Sequence, residues 1–206
     1  MRKIKQQVLK HFQKRDKVLF LVAKDRWPRK KLEADKPENY FRRLCREIIG
    51  QQLAGHVARV IFSRFEGLFS NKEITPDKVL KISHEIMRKI GLSNAKAKYV
   101  RNLAEMIVNK ELNFEDLKDF TDEQIITELT KVSGIGPWTA EMFLMFTMAR
   151  EDVFSSGDLG LRKAIKNIYD LEEMPTIELI ERISSKWRPY RTYASLVLWE
   201  SLNVSD

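Results

Sequence analysis

The sequence predicts an all-α protein. Apolar residues recur at intervals of three and four along most of its 206 residues, which is the spacing of one helix face. The alternation of a half-buried strand is nearly absent, and β-branched runs are short. Capping residues and helix-stopping glycines recur often enough to cut the chain into about ten short helices.

The elements follow in order. The basic, amphipathic opening MRKIKQQVLKHFQKRDK lacks the continuous apolar core of a secretory signal. It is compatible with an organellar address, but its length and Asp16 fit a first helix better. In DRWPRKKLEADKP, two prolines and clustered charge predict a loop. From Pro37 to about Phe69 the spacing of Phe41, Leu44, Cys45, Ile48, Ile49, Leu53, Val57, Val60, Ile61 and Phe65 predicts one long buried helix or two in succession, interrupted near Gly50. Thr75 offers an N-cap with Pro76 at the first helical position, Gly91 stops that helix, and Ser93 caps the next. In TDEQIITELTKV, Thr121 and Gln124 have capping-box spacing, and Ile125, Ile126, Leu129 and Val132 make an apolar face. Gly134 ends this helix. Another is expected from about Pro137 to Ala149, followed by the loop REDVFSSGD and by helices from Asp158 to about Tyr169, Thr176 to about Lys186, and Pro189 to about Leu202. No repeat or low-complexity linker marks a domain boundary, so residues 1–206 are read as one domain.

Composition narrows the function. Lys plus Arg outnumber Asp plus Glu by 37 to 29, a formal charge of +8, and that excess favours a polyanionic partner. A soluble protein that is merely basic is the plain alternative. The single cysteine, Cys45, excludes an intramolecular disulfide, a four-cysteine zinc site and an all-cysteine iron–sulfur cluster. His11, His56 and His84 have no ligand-like spacing, so no metal site is expected. No stretch is apolar enough to span a bilayer, and an intracellular compartment is expected.

The stretch LTKVSGIGPWTAEMF, residues 129 to 143, carries the most information. Two helices joined through Gly-Ile-Gly can turn sharply, because glycine reaches positive φ and leaves peptide N–H groups open to approach. The second helix presents unpaired N–H groups at its positive end, and Pro137 at its first position sacrifices no hydrogen bond. Such a turn is a phosphate cradle whose contacts are independent of base sequence. An isolated Gly-x-Gly would more simply be a helix-ending turn. Asp158, at the start of a later helix, reads in isolation as an N-cap.

As a whole the stretch resembles the helix-hairpin-helix of the DNA glycosylase superfamily, with Leu129, Val132, Ala140 and Phe143 where that motif packs its two helices. Three further stretches, IIGQQLAGHVARVI, GLSNAKAKYVRNLAE and WRPYRTYASLVLWESL, are similar to the 3-methyladenine DNA glycosylase II branch, and they extend the resemblance over about residues 38 to 202. It implies a bilobal helical fold without an iron–sulfur cluster, its lobes built from non-consecutive helices, with the hairpin at about 125–149. Double-stranded DNA with damaged bases is the implied partner, held by a monomer across an interlobe cleft.

The resemblance also implies site residues. Asp158 matches the catalytic aspartate, an anion that would stabilise the positive charge built on the sugar and orient or deprotonate the attacking water. Trp138 stands where strand-cutting members carry a nucleophilic lysine, and an indole cannot form a Schiff base. A monofunctional glycosylase without lyase activity is therefore implied. Trp138 and Trp199, with Tyr193 and Met142, would line the pocket for an electron-poor alkylated purine. Gln52, then Leu53, would be the wedge that fills the gap left by the extruded nucleotide. Gly134, Ile135, Gly136 and Thr139 of the hairpin and Lys163 would bind phosphate, with Lys96, Lys98 and Arg101 as further candidates. No cofactor is implied beyond a monovalent cation at the hairpin carbonyls. Gly157 departs from the second acid common before the aspartate, and Glu141 and Met142 depart from the aromatic or amide residues of bacterial relatives. These departures bear on lesion range. Asp152, the competing acid, is read as an exposed loop charge. A glycosylase for uracil, hypoxanthine or mispaired bases, and a non-enzymatic DNA-binding module, are the alternatives.

Overall fold

The computed structural model describes residues 2–29 and 31–202, among which there are helices and turns and no strand. The chain divides into two compact units, one formed by Met1–Glu33 with Leu144–Asp206 and the other by Ala34–Phe143.

The first unit opens with α1 (Arg2–Arg15) and α2 (Lys17–Asp25). The expected first helix is α1, and a second helix not anticipated there, α2, starts directly behind it at Asp16, which caps it by accepting from Leu19 N at 3.1 Å. Lys30 lies outside the described residues. Asp16 is buried, and its other oxygen accepts from Trp187 Nε1 at 2.9 Å and from the Tyr169 hydroxyl. A buried carboxylate needs such donors to offset its lost hydration. Around this hub Val8, Phe12, Leu19, Phe154, Leu161, Ile165, Ile180, Trp187 and Val197 form the core.

The second unit runs through α3 (Tyr40–Gly50), α4 (Gly55–Glu66), α5 (Pro76–Leu80), α6 (His84–Lys89), α7 (Asn94–Val108) and α8 (Asp122–Thr130). The chain leaves it along α9 (Pro137–Phe146), and α10 (Leu159–Ile168), α11 (Ile177–Ser184) and α12 (Arg191–Leu202) return to the first unit. Caps behave as their chemistry dictates. Thr75, Ser93 and Thr176 accept from the third following amide, and Thr121 with Gln124 closes a full capping box. One helix expected between Thr75 and Gly91 is two, because Ser83 caps α6 and breaks the run. Gly91 ends α6 at φ +108°. Cys45 is a core residue of α3, and burial pushes its thiol far above the ordinary range. No helix among the described residues is long and apolar enough to cross a membrane.

Candidate nucleic-acid interface and active site

The hairpin belongs to the second unit. Leu129, Val132, Ile135, Ala140 and Phe143 are all buried, so both arms are fixed by apolar packing and the turn between them is set by the backbone. Gly134 sits at φ +85°, and a Cβ there would stand 2.2 Å from Cδ2 of Tyr99. Its bare backbone is required twice, by conformation and by the ring against it. Gly136 is different. It is exposed, its φ lies outside the left-handed region, and a Cβ would meet nothing within 4 Å. The space over Gly136 is open, as an approaching phosphate requires. The first bond of α9 runs from Ala140 N to Gly136 O at 3.1 Å, so the Thr139 amide has no acceptor within the helix.

Two expected phosphate groups are redirected. The Ile135 side chain is buried, which leaves only its backbone to face a ligand. Thr139 is also buried, and its hydroxyl accepts from Gln51 Nε2 at 3.3 Å. The same Gln51 amide donates to Gly134 O at 2.8 Å. The monovalent cation implied by the resemblance would use hairpin carbonyls, and Gly134 O has already committed one lone pair to Gln51.

The turn between α3 and α4 carries both expected wedge residues. Gln52 is exposed and holds φ +56°, a left-handed conformation unusual for a residue with a Cβ. Leu53 is half-buried and its amide donates to Gly50 O at 3.2 Å. Beside this turn lies a hollow of about 390 Å³ lined by Arg46, Glu47, Gln52, Leu53, Arg59 and Trp138. Trp138 is 46% exposed, unusual for so large an apolar ring. Met142, one helical turn further along α9, is buried.

Asp158 belongs to the first unit and is the N-cap of α10. Its Oδ1 accepts from Leu161 N at 2.8 Å and from Trp199 Nε1 at 3.2 Å. Asp158 is thus the N-cap that its position suggests, and the helix amide and the indole fix the carboxylate's direction together. Gly160 makes this possible: a Cβ there would lie 3.0 Å from Asp158 Oδ1 and 3.3 Å from the Trp199 ring. Phe146 backs that ring, with centroids 5.9 Å apart. Further along the same helix, α12 also secures the loop that leads to Asp158. The Thr192 hydroxyl donates to Arg150 O and accepts from Val153 N, at 2.6 and 3.0 Å. Asp152, expected as an exposed loop charge, instead pairs with Arg191 at 2.7 Å and Arg188 at 2.9 Å. It is an anchor for this loop.

Tyr193 stands apart from this pair. It is buried, stacked on Trp27, and its hydroxyl donates to Glu151. The hollow it lines is formed with Ile4, Trp27, Pro28, Lys31, Leu32 and Glu33, a set containing neither Asp158 nor Trp199.

The family model described as HhH-GPD superfamily base excision DNA repair protein matches residues 45–189, which include the hairpin, the turn between α3 and α4, and Asp158. The chain belongs to that superfamily. Within this superfamily it falls in the 3-methyladenine glycosylase branch. DNA-3-methyladenine glycosylase 1 of Schizosaccharomyces pombe is 31% identical over 181 residues, covering 87% of this chain and 78% of that protein. The solved structure of a 3-methyladenine DNA glycosylase of Schizosaccharomyces pombe in complex with abasic DNA superposes with a TM-score of 0.84 at 28% identity, covering 97% of this chain and 98% of that one. A DNA-3-methyladenine glycosidase of Bacillus halodurans gives a TM-score of 0.83 at 32% identity, over 96% and 89%.

For this HhH-GPD protein the candidate cations separate into two groups. Lys98 and Lys163 are exposed. Lys96 and Arg101 are turned inward: Lys96 Nζ donates to Ile49 O at 2.9 Å and Gln51 O at 2.6 Å, and Arg101 donates to Leu80 O and Ile82 O. Sequence reasoning missed Arg46 and Arg59, which line the hollow beside the α3–α4 turn, and Gln51, which ties that turn to the hairpin.

Proposed function

We propose that this chain is a monofunctional DNA glycosylase that releases alkylated purines, of the 3-methyladenine and 7-methylguanine type, from double-stranded DNA in base excision repair. The observation that carries this reading is the carboxylate of Asp158, aimed by Leu161 N and Trp199 Nε1 at one helix N-terminus. As the bond between C1′ and the base nitrogen stretches, its electron pair leaves with the base and positive charge builds on the sugar. A fixed carboxylate lowers the barrier to that charge. The same group accepts a proton from water as the water oxygen bonds to C1′, and the proton is then released. The products are a free base and an abasic sugar. No cofactor is needed.

Base flipping gives the glycosidic bond access to this carboxylate. We assign the wedge to Gln52, with Leu53 behind it, and the non-specific grip to the backbone of Gly134 to Thr139 with Lys163, Lys98, Arg46 and Arg59. Trp138 and Trp199 are the indoles assigned to the extruded base. Their negative faces favour a purine made electron-poor by methylation, and Met142 is assigned to the same recognition. The relatives named for 3-methyladenine support the choice of lesion. Trp138 in place of a lysine supports hydrolysis without strand cleavage, because an indole offers no amine for a covalent intermediate.

Incubation with a methylated duplex followed by strand analysis, with and without hot alkali, tests this reading. Base release with breaks only after alkali is expected. Breaks without alkali would exclude the monofunctional assignment, and an intact methylated base would exclude the activity.

A further inference from the structure

Lys96 lies in a lysine-rich stretch of a basic protein and reads as a phosphate contact, yet its ammonium is spent on the protein's own carbonyls. It sits in the first turn of α7 and reaches Ile49 O, in the last turn of α3, and Gln51 O, at that helix's C-cap, at 2.9 and 2.6 Å. The residue immediately after Gln51 is Gln52, held at φ +56°. Lys96 therefore clamps the turn at the point where the backbone enters its least favourable conformation, one that costs about 1 to 2 kcal/mol for a residue with a side chain. A cation on the free carbonyls of a helix C-terminus is the natural partner for that helix end.

The same face of α7 reaches the hairpin. Tyr99, three residues on, packs against Gly134 at a distance that excludes any Cβ there. Asn102, three further on, accepts from Ser133 N at 2.9 Å through Oδ1. Gln51 closes the circuit by donating to Gly134 O. Wedge turn and hairpin are thus cross-braced by one helix face and one glutamine side chain.

We propose that Lys96 is a positioning residue for nucleotide extrusion: it holds the Gln51–Gln52 turn at a fixed register from the phosphate-gripping hairpin, so that Gln52 enters the duplex at one defined nucleotide. The inference rests on the reading of Gln52 as the wedge. A wedge is useful only at a set offset from the phosphates that hold the strand, and a misplacement of about 1 Å in such a constellation can lower a rate about a hundredfold. Desolvation lowers the Lys96 pKa from its ordinary value, in keeping with an ammonium held against protein rather than displayed to solvent.

The test compares Lys96→Met, which keeps the aliphatic stem, with Lys96→Arg, which keeps the charge. Two readouts are taken below the melting temperature of every variant. Fluorescence of 2-aminopurine placed opposite an abasic site reports wedge insertion without any chemistry, and the salt dependence of affinity for undamaged duplex counts phosphate contacts. A positioning role predicts that Lys96→Met loses at least about tenfold of the insertion rate, that its affinity and salt slope stay at wild-type values, and that Lys96→Arg recovers most of the signal. A phosphate contact would instead lower the salt slope by about one and leave the insertion rate unchanged, which would overturn the proposal. Normal insertion by Lys96→Met would overturn it as well. Neither readout needs base release, so a wild-type protein that inserts its wedge but frees no base would refute the glycosylase reading and leave this inference standing.

Discussion

Replacing Gly134 with alanine would put a methyl carbon 2.2 Å from Cδ2 and 2.4 Å from Cγ of Tyr99. The backbone at φ +85° adds about 1 to 2 kcal/mol of conformational strain, and forcing the ring aside adds about 1 to 3 kcal/mol. The sum is about 2 to 5 kcal/mol, a loss of roughly 10 °C in melting temperature for a chain of this size. Gly136→Ala meets open space, so its stability cost is that of a poorer N-cap, below about 1 kcal/mol. What it should lose is DNA. A methyl group over the hairpin amides removes a charge-assisted hydrogen bond to phosphate, about 1.5 to 3 kcal/mol, or tenfold to a hundredfold in affinity. Urea unfolding and titration of a fluorescent duplex separate the two effects. A double-mutant cycle of Gly134→Ala with Tyr99→Ala should return about 1 to 3 kcal/mol of coupling. A Gly134→Ala protein as stable as wild type, or a Gly136→Ala protein with unchanged DNA affinity, would refute the reasoning for that glycine.

Three further outcomes follow from the first unit. Trp199→Phe keeps a ring beside Phe146 but removes one of the two donors on Asp158 Oδ1, leaving Leu161 N; single-turnover base release should fall by about tenfold to a hundredfold, and an unchanged rate would show that the indole does not orient the carboxylate. Asp16→Ala strands the buried Trp187 N–H and uncaps α2, which should cost about 3 to 5 kcal/mol by calorimetry; a loss under 1 kcal/mol would contradict its place as the hub. Burial and then the Asp16 hydrogen bond raise the Tyr169 phenol, and burial and then the Glu151 hydrogen bond raise that of Tyr193. Below the free phenol's pKa of about 10 both states keep these protons, and above it only the unfolded chain ionises. Stability should therefore fall as pH rises past about 10, read as a declining urea midpoint, and a midpoint flat to pH 11 would contradict the burial of these hydroxyls.

Local chemistry made the helices legible. Thr75, Ser93, Thr121 and Thr176 cap within three residues of themselves, so sequence alone carries the information. Ser83 follows the same rule and was overlooked because apolar residues continue on both sides of it. The hairpin was readable for another reason, as a long stretch of mixed residue types. The roles that escaped depend on partners distant in sequence. Nothing near Asp152 announces Arg188 and Arg191, nothing near Lys96 announces the carbonyls of Ile49 and Gln51, and the difference between Gly134 and Gly136 resides in Tyr99. Tyr193 was expected beside Trp199 as a companion aromatic on the same helix, and nothing near it in sequence announces Trp27, on which its ring stacks.

Asp158→Asn is the most direct probe of the central claim, because asparagine serves as well as aspartate at an N-cap and removes only the charge. Alkylated genomic DNA would be incubated with each protein and the liberated bases identified by mass spectrometry. Wild type should release methylated purines, and the variant should release them at a rate lower by at least about a hundredfold with its fold intact. Equal yields from the two proteins would contradict the catalytic role of Asp158.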